Sequence, residues 1–316
     1  MAADEWSLAG KVAVITGATS GLGRVTAGAL ARDGARLFLV CRNEARGRRT
    51  AEEITAATGN REVGVLLGDL GSQAAVRAVA VAFLTRGDPL HLLVNNAGSI
   101  FGFRRQVSPD GFELTFALNH LAYYTLTLCL LDRLRASAPA RIVNVASDGY
   151  TMAGGRFCFD DFNAERRYRF IRQYGRSKLA NILFTRELAR RLSGTAVTVN
   201  SASPPRLAAT RFAHSAHRLA RYPMALLSLF AMSAEQAAES QVLLCTSPSL
   251  SRVSGTHYSG TREARLRPEA CREDDALELW ELSARLTGLS GPCAAAVSPS
   301  TVGAASASSS AQRGGE

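Results

Sequence analysis

Tyr174 and Lys178 are the two residues whose types and spacing point most directly to chemistry. In a helix, residues four positions apart lie on one face, so the lysine ammonium would stand beside the tyrosine phenol. A neighbouring cation favours the phenolate and lowers the pKa of tyrosine from about 10. We therefore expect Tyr174 to exchange a proton near neutral pH. The same spacing also arises by chance on surface helices, and for the pair alone that alternative stays open.

Three further features favour the catalytic interpretation. Lys178 is one of only two lysines among 37 basic residues. Ser147 ends a predicted strand 27 residues before Tyr174, and Asn119 lies in the predicted helix that follows residues 95–98. Hydride transfer to a carbonyl requires a proton donor and hydrogen-bond partners for the oxygen that gains charge. Tyr174 can supply that proton, and hydroxyl and amide side chains such as Ser147 and Asn119 can supply the hydrogen-bond partners.

Hydrolytic and metal-dependent chemistry are disfavoured. A serine nucleophile would require a Gly-x-Ser-x-Gly turn and a partner histidine, whereas residues 145–149 read Val-Ala-Ser-Asp-Gly. His214 and His217 have a spacing compatible with a metal, but no third ligand is evident. We expect no metal site.

A glycine-rich turn follows the first predicted strand and opens into a helix. Glycines there allow a tight turn and a close approach of the backbone to a pyrophosphate at the helix N-terminus. A plain turn is the alternative, although the strand-turn-helix context favours a dinucleotide site. The residues predicted to contact the cofactor in this turn are Thr16, Gly17, Thr19, Ser20, Gly21, Leu22 and Gly23.

The residue after the second predicted strand indicates which nicotinamide dinucleotide is bound. NAD enzymes usually carry an acidic residue there, whereas the 2′-phosphate of NADP requires a cation. Arg42 occupies this place, and its guanidinium can bind a phosphate through two parallel hydrogen bonds. We therefore expect NADPH or NADP as cofactor, with Arg24 as a less specific helper. An ordinary solvated arginine remains the alternative for Arg42.

The alternation of apolar strands with longer helical patterns predicts an α/β fold. It indicates a single Rossmann-like, doubly wound parallel sheet of about seven strands with helices on both faces. The predicted strands are 12–16, 36–41, 62–67, 90–95, 140–147, 196–201 and 256–259. Helices are expected over Leu22 to Asp33 and Asp110 to Ala136. Most of the candidate residues follow predicted strands, at the sheet edge where such folds bind ligands.

Composition suggests one domain, residues 1–290, and a disordered tail rich in Ala, Ser and Gly, residues 291–316. The net charge of +10 is spread along the chain, so we expect no nucleic-acid partner. We predict no transmembrane segment, no secretory signal and a cytoplasmic location. The six cysteines show no Cys-x-x-Cys spacing and are expected to be reduced thiols.

The turn Thr-Gly-x-x-x-Gly-x-Gly resembles that of the short-chain dehydrogenase/reductase family over residues 8 to 290. The resemblance implies that Ser147 orients the substrate oxygen, Tyr174 transfers the proton, Lys178 also binds the nicotinamide ribose, and Asn119 holds a water in a proton relay. It further implies homodimers or homotetramers. The remaining cofactor contacts implied are Asp69 and Leu70 near adenine, Asn96, Ala97 and Gly98 by the ribose, and Pro204 near the nicotinamide.

The chain departs from the family pattern after the sixth predicted strand. Pro205 replaces the usual glycine, which removes a backbone donor and fixes φ, so the geometry of the nicotinamide pocket is in question, although Thr210 could still serve. The family places a substrate lid over 206–232, where this chain has an apolar stripe; core packing is the alternative. A lid lined with Leu, Phe and Met, joined by Phe101, Phe103 and Phe157, would favour a bulky apolar substrate.

Three segments most resemble the retinol dehydrogenase and carbonyl reductase branch: 41–43, 119–121 and 279–283. The leading hypothesis is an NADPH-dependent reductase of a bulky hydrophobic ketone or aldehyde, such as a retinal-like, steroid-like or polyketide substrate. An NADP-dependent, retinol-type alcohol dehydrogenase is the near alternative. A non-catalytic NADP(H)-binding sensor or scaffold is the alternative from another class.

Overall fold

The computed structural model describes residues 6–204 and 233–291. Its centre is one sheet in which seven parallel strands are joined by a two-residue antiparallel strand. The strands are β1 Val12–Thr16, β2 Arg36–Cys41, β3 Val63–Leu67, β4 Leu92–Asn95, β5 Ala140–Val145, β6 Val197–Ser203, β7 His257–Ser259 and β8 Arg262–Glu263. The expected doubly wound sheet of seven strands is confirmed, with β8 as an addition at the edge.

The strand order is β3-β2-β1-β4-β5-β6-β7-β8. The chain winds outward in one direction from β1 to β3 and in the other from β4 onward. A crevice therefore opens between the carboxyl ends of β1 and β4, which is where open α/β sheets bind ligands. The glycine turn follows β1 and the segment 95–98 follows β4, so both border this crevice.

Alternate side chains of β1 serve separate cores on the two faces of the sheet. Val12 and Val14 belong to one buried cluster, and Ala13 and Ile15 belong to the other. All five residues of the strand are buried. A continuous apolar run is the pattern of a parallel strand covered on both faces, which is why β1 was predicted with its correct bounds.

Seven helices of more than ten residues cover the sheet within the described residues. They are α1 Gly21–Arg32, α2 Glu44–Thr58, α3 Gln73–Leu84, α4 Leu114–Ala136, α5 Phe170–Arg191, α6 Ala234–Thr246 and α7 Glu273–Thr287. A 3-10 helix, Asp148–Ala153, follows β5 and packs against α5.

Helix α4 differs from its prediction in both its start and its interior. It begins at Leu114 instead of Asp110, because the Glu113 carboxylate accepts hydrogen bonds from the backbone amides of Thr115 and Phe116, each at 2.9 Å. The segment Ala117–Leu121 is a π-helix, so α4 carries one wider turn near its start. Such turns are common at functional sites, and this one contains Asn119.

Helix α4 is also the one described helix that is long and apolar enough to cross a membrane. Its most apolar window is 89% buried inside the protein, between the sheet and neighbouring helices. That burial is typical of a core helix. The division into a domain over 1–290 and a tail stays a prediction, since residues 292–316 lie outside the described ranges.

Candidate active site

The glycine turn after β1 is shaped by positions where a side chain would not fit. Gly17 and Gly21 have φ of +68° and +52°, in the left-handed region that glycine adopts without strain. A Cβ on Gly23 would overlap Asn96 Nδ2 and lie 2.5 Å from the Gly17 carbonyl oxygen. The turn therefore packs directly against the segment that follows β4.

Asn96 ties the two strand ends together. Its side-chain amide donates to the Thr16 carbonyl oxygen at 2.7 Å, and the Thr16 hydroxyl accepts from the backbone amides of Asn96 and Ala97 at 2.8 and 2.9 Å. The side-chain amide of Asn96 and the hydroxyl of Thr16 are therefore both already hydrogen-bonded to other parts of the protein. Asn96 and Thr16 thus shape the predicted cofactor site by holding the turn.

Helix α1 begins at this turn with amides available to a ligand. Ser20 precedes the helix, but its side chain makes no capping hydrogen bond. The N–H groups of the first helical turn therefore remain available as donors to a ligand. An uncapped N-terminus carries partial positive charge and suits a phosphate. The turn, the helix start and the bare glycine backbone together fit the pyrophosphate of a dinucleotide.

A cavity of about 610 Å³ runs along the crevice from this turn. Most of the residues predicted to contact the cofactor line it. The lining includes Gly17, Thr19, Ser20, Gly21, Leu22, Gly23, Arg42, Asp69, Leu70, Asn96, Ala97 and Gly98, and also Arg46 and Phe101.

Arg42 lies just beyond the end of β2 and is exposed at the cavity wall. Arg46, in the first turn of α2, lines the same cavity and was not singled out by the sequence. Arg24, the expected helper, lies outside this lining and forms an ion pair with Glu53 at 3.1 Å. A phosphate at this end of the cavity would therefore meet Arg42 and Arg46.

Tyr174 and Lys178 share one face of α5 and are both buried, at 7% and 1% exposure. Ser147 and the 3-10 helix lie across this face. A Cβ on Gly149 would come within 3.0 Å of the Tyr174 ring and 3.1 Å of Ser147 Oγ, so only a glycine permits this packing. The predicted triad of serine, tyrosine and lysine is thus brought together.

The pKa of Tyr174 shifts opposite to the expected direction. Burial raises it above the usual value, and a hydrogen bond with Ser147 partly offsets that increase. Burial also lowers the pKa of Lys178 to about 7. The expectation that Lys178 lowers the pKa of Tyr174 is therefore wrong for the protein alone, because both groups lie where their charged forms lose hydration.

The ammonium of Lys178 is held by the backbone of β5. Its Nζ donates to the Val145 carbonyl oxygen at 2.9 Å, which also accepts from Asn181 Nδ2 at 3.2 Å. On its other side, a Cβ on Gly98 would lie 3.5 Å from Nζ. Gly98 and Val145 both line the cavity, so Lys178 lies just behind its wall, and its ribose contact stays a prediction.

Asn119 projects from the π-turn of α4 and bonds on three sides. Its Oδ1 accepts from the Ser99 amide at 2.8 Å, and its Nδ2 donates to the Ser99 carbonyl and to Ser177 Oγ, both at 3.0 Å. Ser177 in turn donates to the Tyr174 carbonyl oxygen at 2.7 Å. Asn119 therefore links the loop after β4 to the catalytic helix; the water relay stays a prediction.

A polar ladder connects the cofactor side of the sheet to α5. Asn95 on β4 donates to Asn144 Oδ1 on the neighbouring strand β5 at 2.9 Å, and Asn144 donates to Thr185 Oγ1 on α5 at 3.0 Å. Thr185 then donates to the Asn181 carbonyl oxygen at 2.7 Å. All four side chains are fully buried, so the ladder is shielded from water.

Asp148, the residue that follows Ser147 in the chain, lies next to His257 on β7, and sequence reasoning missed this contact. His257 on β7 is 2% exposed and lies between Ser201 Oγ at 2.8 Å and Ser203 Oγ at 3.2 Å. Its Nε2 is 3.9 Å from Asp148 Oδ1, and this neighbour is the main reason that the pKa of Asp148 is lowered. The contact joins residues 109 positions apart, and no local pattern signals it.

The residues that were expected to line the substrate pocket are only partly found beside the cavity. Phe101 lines the cavity, and Phe103 is 60% exposed. Phe157 was expected beside them but is buried in the core, 5.9 Å from the Phe116 ring, so that expectation is wrong. Pro204 follows β6 directly. Pro205, Thr210, His214, His217 and the expected lid over 206–232 lie outside the described residues.

Metal binding finds no support in the described ranges, where no three His, Cys, Asp or Glu side chains form a group that could hold a metal ion. The chemistry available is proton transfer by a buried phenol beside a dinucleotide-sized cavity. That arrangement fits a nicotinamide-dependent oxidoreductase.

Comparison with known proteins agrees with this geometry. Residues 11–159 match the family described as short chain dehydrogenase. The chain is 40% identical to "Retinol dehydrogenase 11" of Homo sapiens over 282 residues, covering 89% of this chain and 87% of that protein.

Two solved structures extend the comparison. The Pseudomonas aeruginosa RhlG/NADP active-site complex has a TM-score of 0.64 at 28% identity and covers 82% of this chain and 98% of its own. The 3-ketoacyl-(acyl-carrier-protein) reductase from Brucella melitensis complexed with NADH has a TM-score of 0.61 at 26% identity, covering 80% and 97%. A nicotinamide cofactor is common to both. The chain belongs to the short-chain dehydrogenase/reductase family, close to its retinol dehydrogenase branch, and is an oxidoreductase acting on CH-OH or C=O groups.

Proposed function

We propose that this protein reduces a bulky hydrophobic ketone or aldehyde with NADPH. The observation that carries the proposal is the burial of the Tyr174 phenol beside Ser147, which raises the pKa of Tyr174 and so disfavours the phenolate that would act as a base. Reduction needs a proton donor at the carbonyl oxygen, whereas oxidation needs a base at the same place. A protonated tyrosine beside Ser147 favours the first role.

Each of the predicted catalytic residues has a separate role in the reduction. Reduced nicotinamide supplies a hydride when it is bound. As the carbonyl carbon accepts that hydride, Ser147 donates a hydrogen bond to the carbonyl oxygen and Tyr174 gives it the phenolic proton, which yields the alcohol. Lys178 and Asn119 hold this end of the site through Val145 and Ser99.

Preference for NADPH rests on Arg42 and Arg46. Two guanidinium groups at the adenosine end of the cavity suit a 2′-phosphate. We expect Arg42→Ala to raise the KM for NADPH about 10- to 100-fold, since a hydrogen bond to a charged group contributes about 1.5–3 kcal/mol. The KM for NADH should stay within about twofold, because NADH lacks the phosphate that Arg42 contacts. Arg48→Ala, on the exposed side of α2, is the matched control.

Retinol-type oxidation is the second candidate, favoured by the relative named retinol dehydrogenase. Initial rates with retinal and NADPH, compared with retinol and NADP at the same pH, distinguish the two directions. We expect the reductive rate to be higher at pH 7. A higher oxidative rate at that pH would contradict the assignment of Tyr174 as a standing proton donor.

We also propose a cytoplasmic location and a homodimer or homotetramer. Cys41, Cys158, Cys245 and Cys271 carry free thiols in the described ranges, which is usual in a reducing compartment. The oligomer rests on the family resemblance. Cell fractionation and size-exclusion chromatography with light scattering test the two statements separately.

A further inference from the structure

Two segments beside the catalytic site form one exposed surface, here called the mouth surface, made by residues 101–107 and 160–172. Tyr168 donates its hydroxyl to the carbonyl oxygens of Phe101 and Gly102 at 3.2 Å. Arg105 donates to the Asn163 carbonyl oxygen at 2.9 Å. The rings of Phe103 and Phe170 meet edge to face at 4.7 Å. The segments are thus fixed to each other by specific contacts.

Large apolar side chains are exposed on and beside the mouth surface. Phe103 is 60% exposed and Ile171 is 48% exposed. Met152, 42% exposed, extends the apolar area, because the 3-10 helix that carries it packs on α5 at Gly175. Exposed apolar groups that cluster in this way mark an interaction site.

Arginines surround these apolar groups, and most have no acidic partner. Arg105 pairs with Glu165 at 3.7 Å. The others form no side-chain hydrogen bond or ion pair with any described residue, and all five are exposed: Arg104, Arg166, Arg167, Arg169 and Arg172. The acidic residues on the same segments are Asp160, Asp161 and Glu165. The mouth surface is therefore net positive, and it holds part of the +10 charge that the active site does not explain.

Apolar side chains among unpaired arginines are the combination that binds an anionic bilayer. The apolar groups insert at the boundary of the acyl chains while the guanidinium groups meet lipid phosphates and carboxylates. We propose that the mouth surface is a peripheral, reversible docking site through which this cytoplasmic protein binds the anionic membrane leaflet that faces the cytoplasm. Ile171 stands one helical turn before Tyr174 on α5, so docking would place the entrance to the active site against the bilayer.

Vesicle co-sedimentation of the full chain tests this without any turnover. Vesicles of phosphatidylcholine are compared with vesicles that also contain phosphatidylserine. We expect at least about tenfold stronger binding to the anionic vesicles, because each basic residue near such a surface contributes about 1 kcal/mol. Equal binding to both, or binding to neither, overturns the proposal.

Two sets of substitutions separate the apolar and charged contributions. The triple variant Arg166→Gln, Arg167→Gln and Arg169→Gln should weaken binding on the order of 100-fold, from about 1 kcal/mol per arginine. Phe103→Ser with Ile171→Ser should weaken it at least tenfold, since burying each side chain contributes about 1.5–3 kcal/mol. Unchanged binding in either set contradicts the proposal.

Matched controls change the same residue types elsewhere. Arg32, Arg61 and Arg285 are exposed and unpaired among the described residues, and their change to Gln should have little effect. Val81→Ser with Leu277→Ser removes apolar side chains that are 54% and 40% exposed on other faces. Circular dichroism and NADPH fluorescence report whether each variant folds and keeps its cofactor site.

An acidic protein is the competing kind of partner. Immobilised polyglutamate provides the comparison, because it offers carboxylates without acyl chains. Retention on polyglutamate by a protein that does not bind anionic vesicles would assign the mouth surface to an acidic protein and overturn the membrane proposal. This outcome is distinct from failure of the proposed reductase activity, since neither measurement requires a carbonyl substrate.

Discussion

The cofactor half and the catalytic half of the crevice are built on different principles. The first, around β1 and the start of α1, is made of backbone: glycines, an uncapped helix start and the Thr16–Asn96 bonds. The second, around α5, is made of buried side chains whose charged forms are disfavoured. Steric fit therefore determines cofactor binding in the first half, and electrostatics determines proton transfer in the second. Substitutions in one half should change one of these properties and leave the other nearly unchanged.

Tyr174→Phe should have the largest effect in the catalytic half. The change removes one hydroxyl and keeps the ring that packs on Gly149. We expect kcat for carbonyl reduction to fall about 10²- to 10⁴-fold, the usual contribution of general acid catalysis. The Kd for NADPH, measured by fluorescence, should change less than about twofold. A kcat within about threefold of the wild type would remove Tyr174 from the mechanism.

Lys178→Met should stabilise the fold in a pH-dependent way. The pKa of Lys178 is about 7 in the folded protein and 10.5 in the unfolded chain, so burial of the charge costs stability fully below pH 7. That cost falls as the pH rises from 7 towards 10.5. The Val145 carbonyl keeps its bond from Asn181 in the variant.

Thermal unfolding at several pH values measures this effect. The variant should exceed the wild type by up to about 5 kcal/mol near pH 6, and the difference should shrink towards pH 10. Activity should be lost in the same variant. A difference that does not change with pH would show that the lysine is not buried as a charge.

Gly23→Ala should disrupt the cofactor half through steric overlap alone. The new methyl group meets Asn96 and the Gly17 carbonyl, so the turn must open. We expect NADPH binding to weaken on the order of 30- to 100-fold, from about 2–3 kcal/mol of strain. Gly28→Ala in the same helix is the control, since a Cβ there meets nothing within 4 Å. Equal Kd values for the two variants would contradict the packing described.

His257→Phe should have the smallest effect, because the histidine lies beside Asp148, the chain neighbour of Ser147, and its link to the catalytic serine is indirect. We expect kcat to fall about 3- to 10-fold, with little change in the KM for NADPH, from about 1 kcal/mol lost with the hydrogen bonds. The pKa of Asp148 should rise, which NMR titration can follow. His257→Asn, which keeps a donor and an acceptor, should recover part of kcat.

The fold and the cofactor turn were largely predictable because their signals are local. β1 and β2 each hold an apolar run of at least four residues and were predicted with correct bounds. The start of α4 was missed because Glu113, a less usual capping residue, supplies the cap. β8 is too short to leave a pattern.

The electrostatics of the site could not be predicted from spacing. A separation of four residues places Tyr174 and Lys178 on one face but does not show how deeply both are buried. Desolvation then determines the pKa of each. The approach of His257 to Asp148, the residue after Ser147, depends on β5, β6 and β7 lying side by side, which only the assembled sheet reveals.

The ladder from Asn95 to Thr185 fixes the registration of the two halves. Asn95 pairs with Asn144 across β4 and β5, and a slip of one residue would turn Asn144 to the opposite face. The end of β4 that borders the cofactor cavity and the helix that carries Tyr174 are thus held in one register by fully buried side chains. Substrate-binding loops can then differ between such enzymes while the distance between the cofactor half and the catalytic half is preserved.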